Sequence, residues 1–183
     1  MQALSGQSTA PEVRALLADG ALAGEWVLDP RESSIRLKSR SMGLIPVNGV
    51  FRDVSGNGAI AAGGEVSGTV TVAAASIDTK NAKRDAHLRS ADFFDSGTHP
   101  DITFTAGGIR ASGRGVMVTG TLTVRGRTRA LAFDAAASVR AGGGIRVDAE
   151  VHVNRADFGL TWNRMGLVSM NNTLTIHAVF TRP

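Results

Sequence analysis

From Gly24 onward the chain alternates apolar and polar residues with a period of two, the spacing of a strand with one buried and one wet face. Trp26 and Leu28 share one face; Ile35 and Leu37 alternate with Arg36 and Lys38, and Val47, Gly49 and Phe51 with Asn48 and Arg52. Val66, Gly68, Val70 and Val72 interleave with Thr69 and Thr71, and Ile102 and Phe104 with Thr103 and Thr105. The longest run sets Val116, Val118, Gly120, Leu122 and Val124 against Met117, Thr119, Thr121 and Thr123. Leu131 and Phe133 follow. Ile145, Val147, Ala149, Val151 and Val153 then oppose Arg146, Asp148, Glu150 and His152, and Leu174, Ile176, Ala178 and Phe180 oppose Thr175 and His177. Asn57-Gly58, Gly63-Gly64, Gly107-Gly108 and Gly142-Gly143-Gly144 read as turns of an antiparallel meander. A sheet this large with one wet face must close or pair with a second sheet, and periodicity does not choose between barrel and sandwich.

Four stretches break the alternation. Thr9-Ala-Pro-Glu12 reads as a helix start with Thr9 as N-cap, followed by an apolar stripe of Val13, Leu16 and Leu17 and a stop at Gly20. This short helix is expected to pack on the sheet or plug one end. Ser76 to Asp95 is the densest run of ionisable groups, with apolar positions Ala86, Leu88, Ala91, Phe93 and Phe94 at a spacing that suits a short helix. It is expected to be a polar crossover, near 80–95, that delivers Phe93 and Phe94 into the interior. Ser41–Ile45 and Asp157–Val168 are flexible, apolar interruptions resembling gates, with Gly159 and Gly166 as hinges and methionines suited to adaptable surfaces.

Composition narrows the class. At 183 residues the chain is long enough for a sizeable core and is expected to be one barrel-sized domain, residues 24–183, preceded by an extension over 1–23. There are no cysteines, so neither a disulfide framework nor a thiol site is available. The net charge of +4 comes mainly from scattered arginines, and aromatic residues make up only 5%, so a nucleic-acid partner is not expected. No signal peptide is visible in the first ten residues and no apolar run reaches the roughly 18 residues of a membrane span, so the expected location is cytoplasmic.

Ser76-Ile77-Asp78-Thr79, then Arg84-Asp85-x-His87-Leu88-Arg89-Ser90-x-Asp92-Phe93-Phe94-Asp95, then Pro100-x-Ile102-Thr103-Phe104, resemble the YceI-like family of lipocalin-like polyisoprenoid-binding proteins. Trp26-Val-Leu-Asp-Pro30, Val118-Thr-Gly-Thr-Leu-Thr-Val124 and Arg155-Ala-Asp-Phe-Gly-Leu-Thr-Trp-Asn163 agree in order, so the resemblance covers roughly residues 24 to 182. It implies an all-β fold, an eight-stranded antiparallel lipocalin-like barrel. It further implies a polyisoprenoid, an isoprenoid quinone or a similar long amphiphile held inside, for sequestration or transfer.

Eight strands enclose a space that side chains fill or that holds one small ligand. Inward Gly49, Gly68, Gly120, Ala149 and Ala178 are expected to leave volume, or else to mark kinks. The ligand-binding candidates are Phe51, Val70, Phe104, Leu122 and Phe133 from the strands, with Met42, Phe93, Phe94, Phe158, Trp162 and Met165 from the irregular segments. Arg40, Arg84, Arg89 and Arg155 flank those segments and are headgroup candidates.

Asp85, His87, Asp92, Asp95 and His99 lack a ligand pair at i, i+4, so no metal is expected, and Arg84 with Asp85 and Arg89 with Asp92 read instead as ion pairs. Neither a Gly-x-Ser-x-Gly elbow nor a His-Glu-x-x-His motif is present, so no cofactor and no catalysis are expected. The alternatives are an isomerase or cyclase acting on a hydrophobic substrate in the same cavity, and a solidly packed structural barrel. Transient membrane contact and homodimerisation are the macromolecular contacts this reading allows.

Overall fold

The computed structural model describes residues 10–113 and 115–183. Eleven β segments form one sheet that closes on itself: β1 (Gly24–Leu28), β2 (Ser34–Ser41), β3 (Ile45–Phe51), β4 (Val54–Ile60), β5 (Val66–Ala73), β6 (Ile77–Asp78), β7 (Asp101–Ser112), β8 (Gly115–Val124), β9 (Arg127–Val139), β10 (Ile145–Asn154) and β11 (Asn171–Thr181). All pairings are antiparallel, and closure comes from β11, which pairs with β1 at Val27↔Thr181 and with β2 at Leu37↔Leu174.

The first three barrel strands are each bent, which is why eleven segments make eight strands. β1 and β2 run on in one direction along β11; β3 and β4 run back along them; β5 and β6 return along β4 and β3. The bends are stitched together. The Asp29 amide donates to the Val179 carbonyl at 2.8 Å, and Ser33 Oγ accepts from the Val179 amide at 3.0 Å. The Arg52 amide donates to the Ser76 carbonyl at 3.2 Å and the Ala73 amide to the Asp53 carbonyl at 3.1 Å. Every strand of the wall is paired on both sides over part of its length, the barrel's way of limiting free edges, and the β9–β10 seam is paired only near one end, from Ile145↔Val139 to Ala149↔Ala135.

Two of the expected turns are not turns. Asn57-Gly58 lies inside β4, paired with Thr69 and Gly68, and Gly107-Gly108 lies inside β7 at a bulge between Ala106 and Gly108. The glycine in β4 answers to crowding against the neighbouring strand, since a Cβ on Gly58 would sit 2.8 Å from the Ser67 carbonyl oxygen, whereas Gly107 and Gly108 have room for one. The Arg125-Gly126 link between β8 and β9 is a two-residue loop with φ of 50° and 69°, a primed turn whose twist matches its strands.

The ends of the barrel are closed differently. At one end α1 (Ala10–Ala18) lies against β8 and β9, with Val13 buried and Arg14 donating to the Ser112 and Gly115 carbonyls. The helix matches the expected plug and ends before Gly20, whose φ is 76°; the expected N-cap Thr9 lies outside the described residues. At the other end gather the β2–β3 hairpin, the crossover from Ala74 to Pro100, the β8–β9 turn and the long link between β10 and β11.

Candidate functional site

The crossover holds α2 (Ala82–Arg89), capped by Asn81, whose side chain accepts from the Arg84 amide at 2.9 Å. The expected ion pairs are not the ones formed. Buried Asp85 accepts from the Thr79 amide at 2.9 Å and its hydroxyl at 2.5 Å, while Arg84 donates to the Thr79 hydroxyl and carbonyl at 2.7 and 2.9 Å. Asp92 meets His87 Nε2 at 3.0 Å, and Arg89 donates to the Ile77 carbonyl at 2.9 Å. Backbone groups in an irregular segment need partners, and these side chains supply them. His87 stands edge-on to Trp162 at 4.5 Å and to Phe93 at 5.1 Å, joining the crossover to the β10–β11 link. Among the described residues no cluster of three or more His, Cys, Asp or Glu is placed to hold a metal ion.

Inside the barrel is a cavity of ≈ 280 Å³. It runs the length of the axis, from Val13, Leu17 and Leu22 at the helical plug to Phe94, Phe158 and Leu160 at the opposite end. Trp26, Phe51, Val70, Phe104, Leu122 and Phe133 are in its wall, so the strand-borne candidates and two of the aromatic residues from the irregular segments, Phe94 and Phe158, come together. Phe93 and Trp162 pack behind the wall, 5.3 Å apart between ring centroids. Met42 and Met165 lie outside it, exposed at the barrel end.

The small inward residues do not all leave space. A Cβ on Gly49 would come within 2.8 Å of Ile77 Cδ1, so the crossover fills that notch; on Gly120 it would meet Phe104 Cζ at 2.7 Å. Gly68 is crowded as well, since a Cβ there would sit 2.8 Å from the Asn57 carbonyl oxygen, yet Trp26, Gly58, Gly68 and Ala106, register partners across β1, β4, β5 and β7, all stand in the cavity wall as a row with three small members.

Among the described residues Arg155 is the ionisable side chain in the wall, 7% exposed. Its Nε donates to the Ser169 carbonyl at 3.0 Å and its Nη1 to the Leu160 and Trp162 carbonyls at 2.5 and 2.9 Å, while its Cζ lies 5.4 Å from the Phe93 ring centre. Burial pushes its pKa down, yet a guanidinium remains cationic at neutral pH. Its donors are thus turned to backbone and clasp the β10–β11 link. Of the four expected headgroup cations, Arg84, Arg89 and Arg155 are engaged in this way, whereas Arg40 is exposed.

Arg125-Gly126-Arg127-Thr128-Arg129 reads from the sequence as a hairpin turn, which the β8–β9 link is, and that reading gives Arg127 and Arg129 no part in the site. In register they face Val124 and Leu122, so they continue the cavity parity of β9 to the barrel rim, where both are exposed. The alternation Arg127, Arg129, Leu131, Phe133 carried that signal.

An apolar lumen inside a closed antiparallel eight-stranded meander defines a lipocalin-like barrel. The chain belongs to the YceI-like family: the model of the YceI-like domain matches residues 26–180. A UPF0312 protein of Azotobacter vinelandii is 36% identical over 121 residues, and Protein YceI of Escherichia coli 31% over 124 residues. These matches span 63–64% of this chain and the same share of those relatives. Among solved structures, Burkholderia cenocepacia BcnA superposes with a TM-score of 0.75 at 23% identity, covering 83% of this chain and 98% of that one. A polyisoprenoid binding domain from Saccharophagus degradans gives 0.72 at 19%, covering 86% and 98%, which establishes a shared fold. Among the described residues no helix is long and apolar enough to cross a membrane.

Proposed function

We propose that the protein binds a polyisoprenoid or similar long-chain amphiphile along the barrel axis, to sequester or transfer it. The observation that carries this reading is a continuous axial cavity walled by hydrocarbon, whose one ionisable wall residue among those described spends its donors on backbone carbonyls. Each buried CH₂ contributes ~0.8 kcal/mol, so roughly ten carbons nominally give ~8 kcal/mol, part of which ordering costs return. Affinity therefore rests on the tail. The polar end is assigned to the rim that carries Arg127 and Arg129, with exposed Arg40 as a further cation at the same end. Binding is favoured over chemistry because the wall offers, among the described residues, no carboxylate or imidazole to move a proton.

Native mass spectrometry of the purified protein, followed by organic extraction and lipid analysis, tests the reading. A prenyl chain or quinone released at one copy per protein supports it. Empty protein that takes up no prenol at micromolar concentration rejects it in favour of a ligand-free barrel.

A further inference from the structure

Two tripeptides of identical sequence lie side by side at the barrel end opposite α1. Met42-Gly43-Leu44 forms the tip of the β2–β3 hairpin, and Met165-Gly166-Leu167 lies in the β10–β11 link. Both bend the same way. Met42 and Gly43 have φ of 53° and 71°, and Met165 and Gly166 have 60° and 70°, a left-handed conformation that L side chains rarely adopt. They are tied together by a bridge between Ser41 and Val168, by the Met42 amide donating to the Leu167 carbonyl at 2.5 Å, and by the Ser169 amide donating to the Arg40 carbonyl at 2.9 Å.

The result is a hydrocarbon surface turned to solvent. Met42 is 59% exposed, Leu44 87%, Ile45 54%, Met165 85% and Leu167 41%. Five of the six large apolar side chains left exposed among the described residues are therefore gathered on these two tips. The wet face of β2 leads up to them as Arg36, Lys38 and Arg40, all exposed, with Thr175 and Val50, Thr173 and Asn48, and Pro46 as register partners. Among the described residues none of these three cations has an ion pair, and no Asp or Glu occurs between Ser33 and Arg52 or after Asp157.

We propose that the paired Met-Gly-Leu tips dock the barrel on an anionic lipid bilayer, with the apolar side chains entering the acyl boundary and Lys38 and Arg40 lying at the headgroup level. Flexible apolar side chains flanked by cations are the two signals that reversible surface binding requires. A second copy of the chain fits the surface poorly, because a two-fold contact through the tips would bring the same cations together. The docked end is also the end at which Arg155 clasps the link through Ser169 and reaches the cavity. That a docked barrel exchanges its cargo there rests on the carrier reading above; the docking itself does not.

Flotation of the purified protein with vesicles tests it, using phosphatidylcholine alone and phosphatidylcholine mixed with phosphatidylglycerol. The native protein is expected to float with the mixed vesicles and to be released by high salt. The paired Leu44→Glu and Met165→Glu substitution is expected to weaken partitioning at least about tenfold, and Lys38→Gln with Arg40→Gln about fivefold per charge. All four positions are exposed or lie on the wet face, so thermal melts of both variants should match the native protein. The proposal is overturned if the native protein fails to float, if the Leu44/Met165 variant floats equally well, or if those changes instead dissociate a dimer that binds no vesicle. Prenol uptake without vesicles is measured in parallel. Flotation without uptake removes the carrier reading and keeps the docking surface; uptake without flotation does the reverse.

Discussion

Arg155→Met probes the most unusual residue of the barrel. The side chain places a guanidinium beside an apolar cavity and hands three well-formed hydrogen bonds to the carbonyls of Leu160, Trp162 and Ser169; a fourth contact, to the Val168 carbonyl at 3.4 Å, is too long to add much. A hydrogen bond from a charged donor contributes about 1.5–3 kcal/mol, so the gross loss is about 4–9 kcal/mol. Two offsets reduce it. Methionine is spared the desolvation that a buried guanidinium suffers, and the half-buried Trp162 and Ser169 carbonyls recover water. A net destabilisation of about 3 kcal/mol remains, which for a chain of this size lowers Tm by roughly 6–12 °C. Urea titration and thermal melting by circular dichroism measure it. Hydrogen exchange should show the loosening concentrated at the Leu160 amide, which donates to the Arg155 carbonyl, and along the link to Ser169. Arg155→Lys, which keeps the charge without the planar fork, should recover less than half the loss. A methionine variant that melts within about 2 °C of the native protein, with unchanged exchange in the link, refutes the clasp.

Three further outcomes follow from the same geometry. Leu122→Arg should unfold the protein or abolish prenol binding by driving an unpaired charge into the cavity wall, whereas Thr121→Arg, one residue along on the exposed face, should change stability by no more than about 0.5 kcal/mol; equal damage would invert the face assignment. Ala106→Leu, in the small-residue row, should cut prenol affinity at least tenfold while raising stability by about 1 kcal/mol, and unchanged affinity would place the ligand elsewhere. Acid should weaken the fold. Hydrogen bonds from Arg52 and the Lys80 amide hold Asp78 below the usual carboxylate range, Arg140 does so for Glu32, and at Asp148 burial pushes upward but bonds from Arg146 and His177 outweigh it. Carboxyls depressed in the folded state contribute stability above their unfolded pKa near 4 and lose it as the pH falls through the folded value, so Tm should be level from neutrality to about pH 5 and drop below about pH 4. A Tm that rises over that lower range would contradict the sign.

The alternation from Trp26 to Phe180 carries the barrel because one buried face repeats through every strand, and parity is a property of the chain alone. Bends are not. β1 and β2 look like two strands until β11 is seen to pair with both. The glycines show the same limit. Gly49 and Gly120 read as openings, yet Ile77 arrives from the crossover and Phe104 leans across from the neighbouring strand; which notch is filled depends on where a distant side chain lands. Composition marked the arginines around the irregular segments without revealing that Arg84, Arg89 and Arg155 serve carbonyls, since carbonyl demand arises only once a segment is folded. The rim pair Arg127 and Arg129 was legible in the alternation, hidden by the turn signal beside it.

Because β11 supplies the partner for both β1 and β2, the cylinder has no complete wall until the final strand is available. A ribosome releases Val27 long before Thr181, so the newborn polypeptide carries an uncovered oily ribbon for most of its synthesis, with only local hairpins to shelter it. Such a chain can make its seam only once the last strand is in place.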